Sequence, residues 1–477
     1  QADWSDDPTI NTLISGIQPG CAITHAAKSL DGSAWVAWYD SDAGYDIVLQ
    51  LIDEDGNTAF EPPIVVSDQS LSWVQDFDLS IDGEGNAAIA WSDGDSTGAA
   101  RVLRSGEIAF VREFSAGGAF TANAQICKGP EGSLIVAWGE DGISRAQRLS
   151  PEGDTMWLNP PTFGGSGTTA ISDLHPSING DTLASFVTYT SFSGPKRLVA
   201  ARITHSGSIA WGLNDVFTNG SLQFGAYPEF IRDNSGGGIF VWYSTSPLMA
   251  RAQWMTETGD RLLGTDGMAM TTETNMVHVG PVASYELTED VATVYWTRQD
   301  SLQSQAGVQV NRINRNGDRL LGNTGVQVAA MSANSVLDLS AWQLDELACA
   351  AWIGAQNTGP GMIYAAAIDQ AGNLPWNTLG PARLGTPNID RSDLSSAASN
   401  GQGIVVWVDG RDGSDRAYAQ NINSDGTLGG SPCTGDISGD GTVGVDDILS
   451  VIESWGSADA AADLDGNGIV DTNDLLI

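Results

Sequence analysis

The chain has 477 residues, and its 59 acidic and 21 basic residues give a formal net charge of −38. A surface of this sign repels nucleic acid and anionic membranes, so neither is expected as a partner. The sequence contains no run of 18 apolar residues that could span a membrane, and four cysteines in so long a chain do not form a disulfide framework.

The first 431 residues consist mostly of one repeated unit. After a strand-like piece at residues 11–15, a short β-rich run ending in an aromatic residue recurs at intervals of 47 to 56 residues. The eight aromatic positions are Trp38, Trp91, Trp138, Tyr189, Trp242, Trp296, Trp352 and Trp407. A turn glycine follows each of them, at Gly56, Gly106, Gly153, Gly207, Gly259, Gly317, Gly372 and Gly426. Four residues after several of these glycines stands another large aromatic (Phe60, Phe110, Trp157, Trp211, Trp376).

Each unit therefore predicts four short antiparallel strands with turns between them and no helical period. One four-stranded sheet cannot bury both of its faces, whereas a ring of such sheets buries them against one another. The sequence predicts an all-β fold, an eight-bladed β-propeller over residues 1–431. Seven blades with an irregular unit, or a pair of β-sandwiches, are alternatives that the eight even spacings disfavour.

The eighth unit runs from its glycine directly into residues 429–433 and lacks a fourth strand. We predict that residues 11–15 supply this strand, so that the N-terminus closes the last blade. Cys21 and Cys433 would then lie near each other, and a disulfide between them is a testable guess. Cys127 and Cys349 fall in blades three and seven and are expected to be buried and unpaired.

The repeats resemble a broad class of secreted bacterial repeats, most clearly at residues 406–409 (Val-Trp-Val-Asp) and 418–426. The resemblance implies an architecture rather than a reaction.

No nucleophile elbow, phosphate loop or dinucleotide fingerprint is present, and no His or Cys pair has metal-ligand spacing. His205 is expected in a solvated turn, whereas His25, His175 and His278 are expected in or just before channel-lining strands, more as polar lining than as catalytic groups. Catalytic residues therefore remain unknown, and the chain is interpreted as leaning away from an enzyme. Five aromatics off the repeat position are candidates for stacking on sugars, although ordinary packing is favoured for each: Trp35, Tyr45, Trp73, Trp254 and Trp342.

The last 45 residues contain two twelve-residue loops with oxygen side chains at positions 1, 3, 5 and 12 and glycine at position 6. This spacing predicts two calcium ions, because calcium takes six to eight oxygen ligands. Positions 7 and 9 complete each set, by a backbone carbonyl and by a water or side-chain oxygen. The predicted ligands are Asp436, Ser438, Asp440, Thr442 and Asp447 in loop one, and Asp463, Asp465, Asn467, Ile469, Asp471 and Asp474 in loop two.

With Asp at position 12 and an apolar helix pattern from Asp447 onward, residues 433–477 resemble a type I dockerin, a small α-helical calcium-folded module. The resemblance implies docking on a cohesin-like domain through positions 10 and 11, which are Val445 and Asp446 in loop one and Thr472 and Asn473 in loop two. Because these pairs differ, two interchangeable binding orientations are not expected. The second helix is expected to be incomplete. A calcium-stapled cap that binds nothing is the alternative.

Starting at Gln1 without Met, the chain is interpreted as a mature form that is secreted and extracellular or attached to a cell surface. The leading hypothesis is a non-catalytic binding or structural propeller tethered to an extracellular assembly by the dockerin-like segment. An extracellular polysaccharide-active enzyme, either a glycoside hydrolase or a lyase, is the second hypothesis. A self-assembling fibre subunit, whose partner is another copy of the chain, is the third. Carbohydrate is a further candidate partner.

Overall fold

The computed structural model describes residues 4–17, 19–67, 76–114, 119–356, 361–376, 380–387, 389–430, 437, 444–457, 462 and 469–476. Its dominant feature is a set of eight four-stranded antiparallel sheets, and each sheet is one blade. The predicted eight-bladed propeller is confirmed.

The chain begins with β1 (Thr12–Leu13) and then forms one blade after another, each from its innermost strand outward. Blade 1 comprises β2 (Cys21–Lys28), β3 (Ala34–Asp40), β4 (Asp46–Ile52) and β5 (Ile64–Ser67), and blade 2 comprises β6 (Asp76–Ile81), β7 (Ala87–Ser92), β8 (Thr97–Val102) and β9 (Ile108–Phe114). Blade 3 comprises β10 (Thr121–Lys128), β11 (Leu134–Glu140), β12 (Ile143–Leu149) and β13 (Thr162–Phe163), and blade 4 comprises β14 (Thr168–Pro176), β15 (Thr182–Tyr189), β16 (Arg197–Ile203) and β17 (Ile209–Asp215).

Blade 5 comprises β18 (Phe230–Arg232), β19 (Gly238–Thr245), β20 (Leu248–Met255) and β21 (Met268–Ala269), and blade 6 comprises β22 (Val277–Glu286), β23 (Val291–Gln299), β24 (Ala306–Asn314) and β25 (Val326–Ser332). Blade 7 comprises β26 (Asn334–Leu344), β27 (Leu347–Gln356), β28 (Gly361–Ile368) and β29 (Ala382–Arg383). Blade 8 comprises β30 (Arg391–Ala398), β31 (Gln402–Asp409) and β32 (Arg416–Asn423), with β1 as its outer strand.

The apolar core is divided into eight clusters, each between two adjacent blades. The second strand of each blade contributes to both neighbouring clusters, since alternate side chains of a strand point to opposite faces. In β3, for example, Trp38 packs toward blade 8 and Trp35 toward blade 2. Seven of the eight repeat aromatics are buried, and Tyr189 is partly exposed.

The large apolar residue four positions after a turn glycine, an aromatic in five repeats and a leucine in two, packs on the turn glycine of the next blade. Gly207, for instance, has φ +85, and an added Cβ would lie 2.8 Å from the Trp157 ring, so only glycine fits there. The Trp157 indole donates a hydrogen bond to the His205 carbonyl at 3.0 Å. The same indole-to-carbonyl bond recurs for Trp211 at 3.0 Å and Trp376 at 2.9 Å, which links successive blades.

The N-terminal segment closes the ring, as predicted. Thr12 and Leu13 pair with Ala419 and Tyr418 in β32. The prediction did not include Trp4, which replaces the large apolar residue that the eighth repeat lacks after its turn glycine. The Trp4 ring packs on Gly56, and its indole donates to the Glu54 carbonyl at 2.8 Å. We call this contact the Trp4 latch.

Cys127 and Cys349 are buried and free, as expected. Cys21 is likewise a buried free thiol, while Cys433 lies outside the described residues, so their disulfide stays a prediction.

The described part of the C-terminal segment contains one α-helix, α1 (Val445–Glu453), and a 3-10 turn at Asp474–Leu476. Helix α1 starts two residues before the predicted start. An α-helical domain over 433–477 is not shown, and that assignment stays a prediction. None of the helices in the described residues is long and apolar enough to cross a bilayer.

Candidate functional site

The eight innermost strands line the central channel, and β-bulges interrupt six of them: β2, β10, β14, β22, β26 and β30. Several bulge residues have positive φ, among them Ile23, Asn123, Asp338 and Asp393. A bulge adds a residue to one strand and re-aims the side chains beside it. These bulges therefore set which polar groups enter the channel.

One group of channel residues, here called the acidic cluster, consists of Asp78, Asp173, His175 and Glu229, from blades 2 and 4 and the start of blade 5. Asp78 Oδ2 accepts the Ile126 N–H of blade 3 at 2.8 Å. Asp173 Oδ2 accepts the Phe230 N–H of blade 5 at 2.8 Å and lies 3.1 Å from His175 Nε2. The carboxylates thus join neighbouring blades.

Two carboxyl groups and the imidazole of the acidic cluster have raised pKa values. Burial raises the pKa of Asp78 to about 7, and the nearby carboxylates of Asp173 and Glu229 add to this against the Ile126 hydrogen bond. Burial, with Asp173 close by, also raises the pKa of Glu229. Burial alone would lower the pKa of His175, but the carboxylates, chiefly that of Asp173, outweigh it and raise the pKa. With its pKa at about 7, Asp78 can exchange a proton near neutral pH.

A second set of polar groups, from blades 1, 7 and 8, lies farther round the channel. The Leu394 N–H approaches Asp338 Oδ2 at 3.4 Å, and Thr24 donates to the Asp393 carbonyl. Burial raises the pKa of Asp338. Burial lowers the pKa of His25 to about 4, so this imidazole is neutral at physiological pH.

The channel contains a cavity of about 600 Å³. Polar groups in its lining include Glu229, Asp338 and Asp393, His25, and the hydroxyls of Tyr227, Tyr243, Ser340, Ser395 and Ser396. Neither Arg nor Lys contributes to the described lining. The volume lies within the range of small-molecule sites, and the charge is of one sign.

The four histidines divide between channel, core and surface. His25 and His175 belong to the channel, as expected. His278 is 0% exposed, and its Nδ1 accepts the Trp296 indole N–H at 2.9 Å, so it is a core residue of blade 6 rather than a channel residue. His205 has a largely exposed side chain, as predicted for a solvated turn.

The residues considered for sugar stacking that the structure describes are buried or half-buried. Trp35, Trp254 and Trp342 are buried, Tyr45 packs edge-on against Tyr39, and Trp73 lies outside the described residues. Among the described residues, the exposed aromatics of the propeller are instead phenylalanines and a tyrosine in loops that the repeat pattern did not mark.

In the C-terminal segment, the two position-12 carboxylates have the same surroundings. Asp447 Oδ2 accepts the Gly444 N–H at 2.6 Å, and Asp474 Oδ2 accepts the Asp471 N–H at 2.7 Å. Each bond therefore joins position 12 to position 9 of its own loop, and each carboxylate residue is 2% exposed. The repeated geometry places both side chains at equivalent points.

The two halves of the segment also contact each other. Gly456 N–H donates to the Val470 carbonyl at 2.9 Å, and the Val470 N–H donates to the Ser457 carbonyl at 2.9 Å. Val451, Ala462 and Val470 form a small buried cluster. The described residues of the two halves thus pack against each other.

Most of the other predicted calcium ligands lie outside the described residues: Asp436, Ser438, Asp440, Thr442, Asp463, Asp465 and Asn467. Ile469, the position-7 residue of loop two, has a half-exposed side chain, and only its carbonyl was expected to bind. Within the described part of the chain, no group of three or more His, Cys, Asp or Glu side chains could hold a metal. The calcium assignment stays a prediction.

Helix α1 has an apolar face that remains open to solvent. Val445 is 70% exposed, and four further apolar side chains are between 48% and 49% exposed: Ile448, Leu449, Ile452 and Trp455. At 3.6 residues per turn the four residues within the helix share an arc of roughly 100°, and Trp455 lies in the turn that follows the helix. Of the other predicted contact residues, Thr472 and Asn473 are exposed, and the side chain of Asp446 is not described.

No protein-family profile matches the sequence, and no curated protein matches it. Among solved structures, the chain is similar to the Dos1 propeller, with 11% identity and a TM-score of 0.46 over 86% of this chain and 94% of that one. It is also similar to puromycin hydrolase, with 12% identity and a TM-score of 0.45. This match covers 86% of this chain and only 61% of puromycin hydrolase. An ulvan lyase of polysaccharide lyase family PL25 gives 10% identity and a TM-score of 0.44 over 91% and 98% of the two chains. These likenesses concern the fold alone.

Proposed function

We propose that this protein is a secreted, non-catalytic β-propeller that docks onto a cohesin-type receptor domain through a calcium-dependent C-terminal module. The observation that carries the proposal is the open apolar face of α1, together with Trp455 in the turn after it. A nine-residue helix with so much exposed apolar surface is costly in water unless a partner covers it. Receptor docking accounts for the face and for the two calcium loops together.

Calcium supports this role because it would determine whether the face forms. Helix α1 begins directly after the N–H of Gly444, which the position-12 carboxylate of Asp447 accepts. With calcium bound, the loop oxygens would hold the start of the helix in place, and metal binding would then supply folding free energy. Removing calcium would therefore remove the docking surface as well.

The test is binding of the full chain to immobilised cohesin domains, measured with millimolar calcium and with chelator. Ile448→Asp places a charge on the apolar face and is expected to weaken binding more than about tenfold, as for a central interface residue. Leu302→Asp is the matched control, since Leu302 is an 83% exposed apolar residue of a propeller loop. Binding that survives Ile448→Asp and chelation would refute the proposal. Calcium-dependent polymers of the chain alone would favour the self-assembling fibre instead.

A second candidate is turnover of an extracellular polysaccharide in the channel. It is favoured by Asp78 and Glu229, whose raised pKa values suit general acid chemistry. Release of new reducing ends or unsaturated products from polysaccharides by the full chain, abolished by Glu229→Gln, would support it. Absence of turnover across neutral, aminated and anionic substrates would leave the non-catalytic role.

A further inference from the structure

Two propeller loops bring exposed aromatic side chains together. Phe192, in the loop between β15 and β16, is 74% exposed, and Phe224, between β17 and β18, is 59% exposed. Their ring centroids are 4.7 Å apart. Tyr227, on the same segment as Phe224, is 39% exposed. We call Phe192, Phe224 and Tyr227 the aromatic platform.

Lys196 connects the two loops that carry the aromatic platform. Its Nζ donates to the carbonyls of Phe192 at 2.6 Å and Gly194 at 2.8 Å, and it lies 5.7 Å from the centroid of the Phe224 ring. The lysine backbone joins the second loop, because the Leu222 N–H donates to the Lys196 carbonyl at 2.9 Å. Lys196 is only 6% exposed, so its charge faces the loop carbonyls rather than solvent. The hydrogen bonds of its ammonium group and of its backbone fix the two loops relative to each other. A surface that is ordered in advance loses less entropy on binding.

The platform adjoins the mouth of the channel cavity. Leu222, Ala226, Tyr227 and Glu229 line that cavity, and all belong to the segment that carries Phe224. The two loops also lie at one end of the blade, since alternate turns of an up-and-down antiparallel sheet emerge on the same side. An apolar surface thus leads directly to a recess rich in carboxylates and hydroxyls.

This combination selects a class of ligand. Aromatic side chains offer apolar area without flexible parts and pack against the C–H face of a sugar ring. Carboxylates and hydroxyls in the recess accept and donate hydrogen bonds to sugar hydroxyls. The described lining contains three carboxyl groups and no Arg or Lys, so it offers an anionic ligand no charge partner.

We infer that the aromatic platform and the channel mouth bind a carbohydrate chain that carries no anionic groups, either a neutral glycan or an aminated one. The platform would stack on sugar rings while Glu229 and the neighbouring hydroxyls bind the polar edge. This site is separate from helix α1, and it requires neither docking nor turnover.

The test uses the full chain in millimolar calcium, with affinity electrophoresis followed by titration calorimetry. The probes are xyloglucan and galactomannan (neutral), chitosan oligosaccharides (aminated) and polygalacturonate (anionic). The expected result is binding of a neutral or aminated probe, no binding of polygalacturonate, and a loss of roughly tenfold or more in Phe192→Ala/Phe224→Ala. Leu158→Ala is the control, since Leu158 is a 94% exposed apolar residue of another blade and its loss should leave binding unchanged.

Glu229→Gln separates the two glycan classes. It should weaken an aminated glycan strongly, because an ammonium group bound beside Glu229 favours the ionised carboxylate and pairs with it, and a neutral glycan only slightly, since the amide still forms hydrogen bonds. The melting temperature of each variant is compared with that of the parent, and an unchanged value will show that the variant folds. The inference is overturned if no probe binds, if polygalacturonate binds best, or if binding is the same in the double variant and the parent. Self-association that is lost in the double variant, without any glycan binding, would assign the platform to a protein interface and overturn it too.

Discussion

Replacing Asp78 by asparagine is expected to stabilise the propeller at pH 8 and to leave its stability nearly unchanged at pH 4. Asp78 lies in the channel beside Asp173 and Glu229, and burial raises its pKa from 3.8 to about 7. The folded protein therefore binds this proton more tightly than the unfolded chain does. The free energy of unfolding falls as the pH rises from about 4 to about 7, and above pH 7 the full penalty remains.

The size of the effect follows from the two pKa values. At about 1.4 kcal/mol for each pKa unit, the difference between 3.8 and about 7 corresponds to about 4 kcal/mol. Because Asp78 is partly exposed, solvent screening reduces this to roughly 2 kcal/mol of gain in Asp78→Asn at pH 8. The asparagine carbonyl can still accept the Ile126 N–H, so the link between blades 2 and 3 is retained.

The assay is equilibrium urea unfolding of parent and variant at pH 4, 6 and 8, with calcium held constant. Asp266→Asn is a control of opposite sign, since hydrogen bonds from Asn219 and Thr218 lower the pKa of Asp266 to about 2. That carboxylate stabilises the fold above about pH 4 and loses its effect as the pH falls toward 2, so its variant should destabilise at pH 8. An Asp78→Asn variant that is less stable at pH 8, or equally altered at pH 4 and 8, would refute the reasoning.

Three further predictions concern ring closure, blade contacts and calcium. Trp4→Ala should lower the free energy of unfolding by about 3 to 5 kcal/mol, because it empties the latch that closes the ring, whereas the exposed Trp455→Ala should leave the propeller's urea midpoint unchanged. Gly207→Ala should cost more than about 1 kcal/mol in the same assay, since the new Cβ meets both a positive φ and the Trp157 ring, and a neutral result would contradict the latch geometry. Chelation should expose the C-terminal segment to limited proteolysis and leave the propeller intact, while Asp440→Ala and Asn467→Ala should each weaken one calcium site in calorimetry, loop two being the tighter. Unchanged calcium binding in both variants would show that the ligands are assigned wrongly.

The fold was accessible from the sequence because each blade repeats the same two constraints. A buried aromatic on the second strand and a glycine in a later turn are local features with a fixed spacing, and both persist through eight copies. The closing strand could be inferred because the eighth unit lacked one. Trp4 was missed, although the same reasoning could have found it: the eighth glycine is followed four residues later by Gly430 instead of an apolar residue, and an unassigned tryptophan stands near the N-terminus.

The site was less accessible, since it depends on irregular backbone. In β22 the bulge between Val279 and Val282 changes the side-chain alternation, and His278 on its near side packs in the core rather than in the channel. Phe192 and Phe224 lie in loops outside the repeat, where no period shows that they meet. The side chains of tryptophans such as Trp35 pack between adjacent blades. Aromatic composition alone therefore pointed to the wrong residues for sugar stacking.

Ring closure and the C-terminal segment meet at one blade. The last described propeller residues, Gly429 and Gly430, follow the strand that pairs with β1, and Gly429 lies against Asp6. Any pull on a docked C-terminal module would therefore act on the blade whose outer strand is only Thr12–Leu13. The backbone hydrogen bonds of so short a strand are too few to hold it in the sheet under load. The Trp4 latch and the hydrogen bonds of Asn11 to Leu384 and Gln420 must therefore hold it. If the protein docks through this end, side-chain contacts rather than strand pairing must keep the ring closed, and Trp4 and Asn11 supply such contacts.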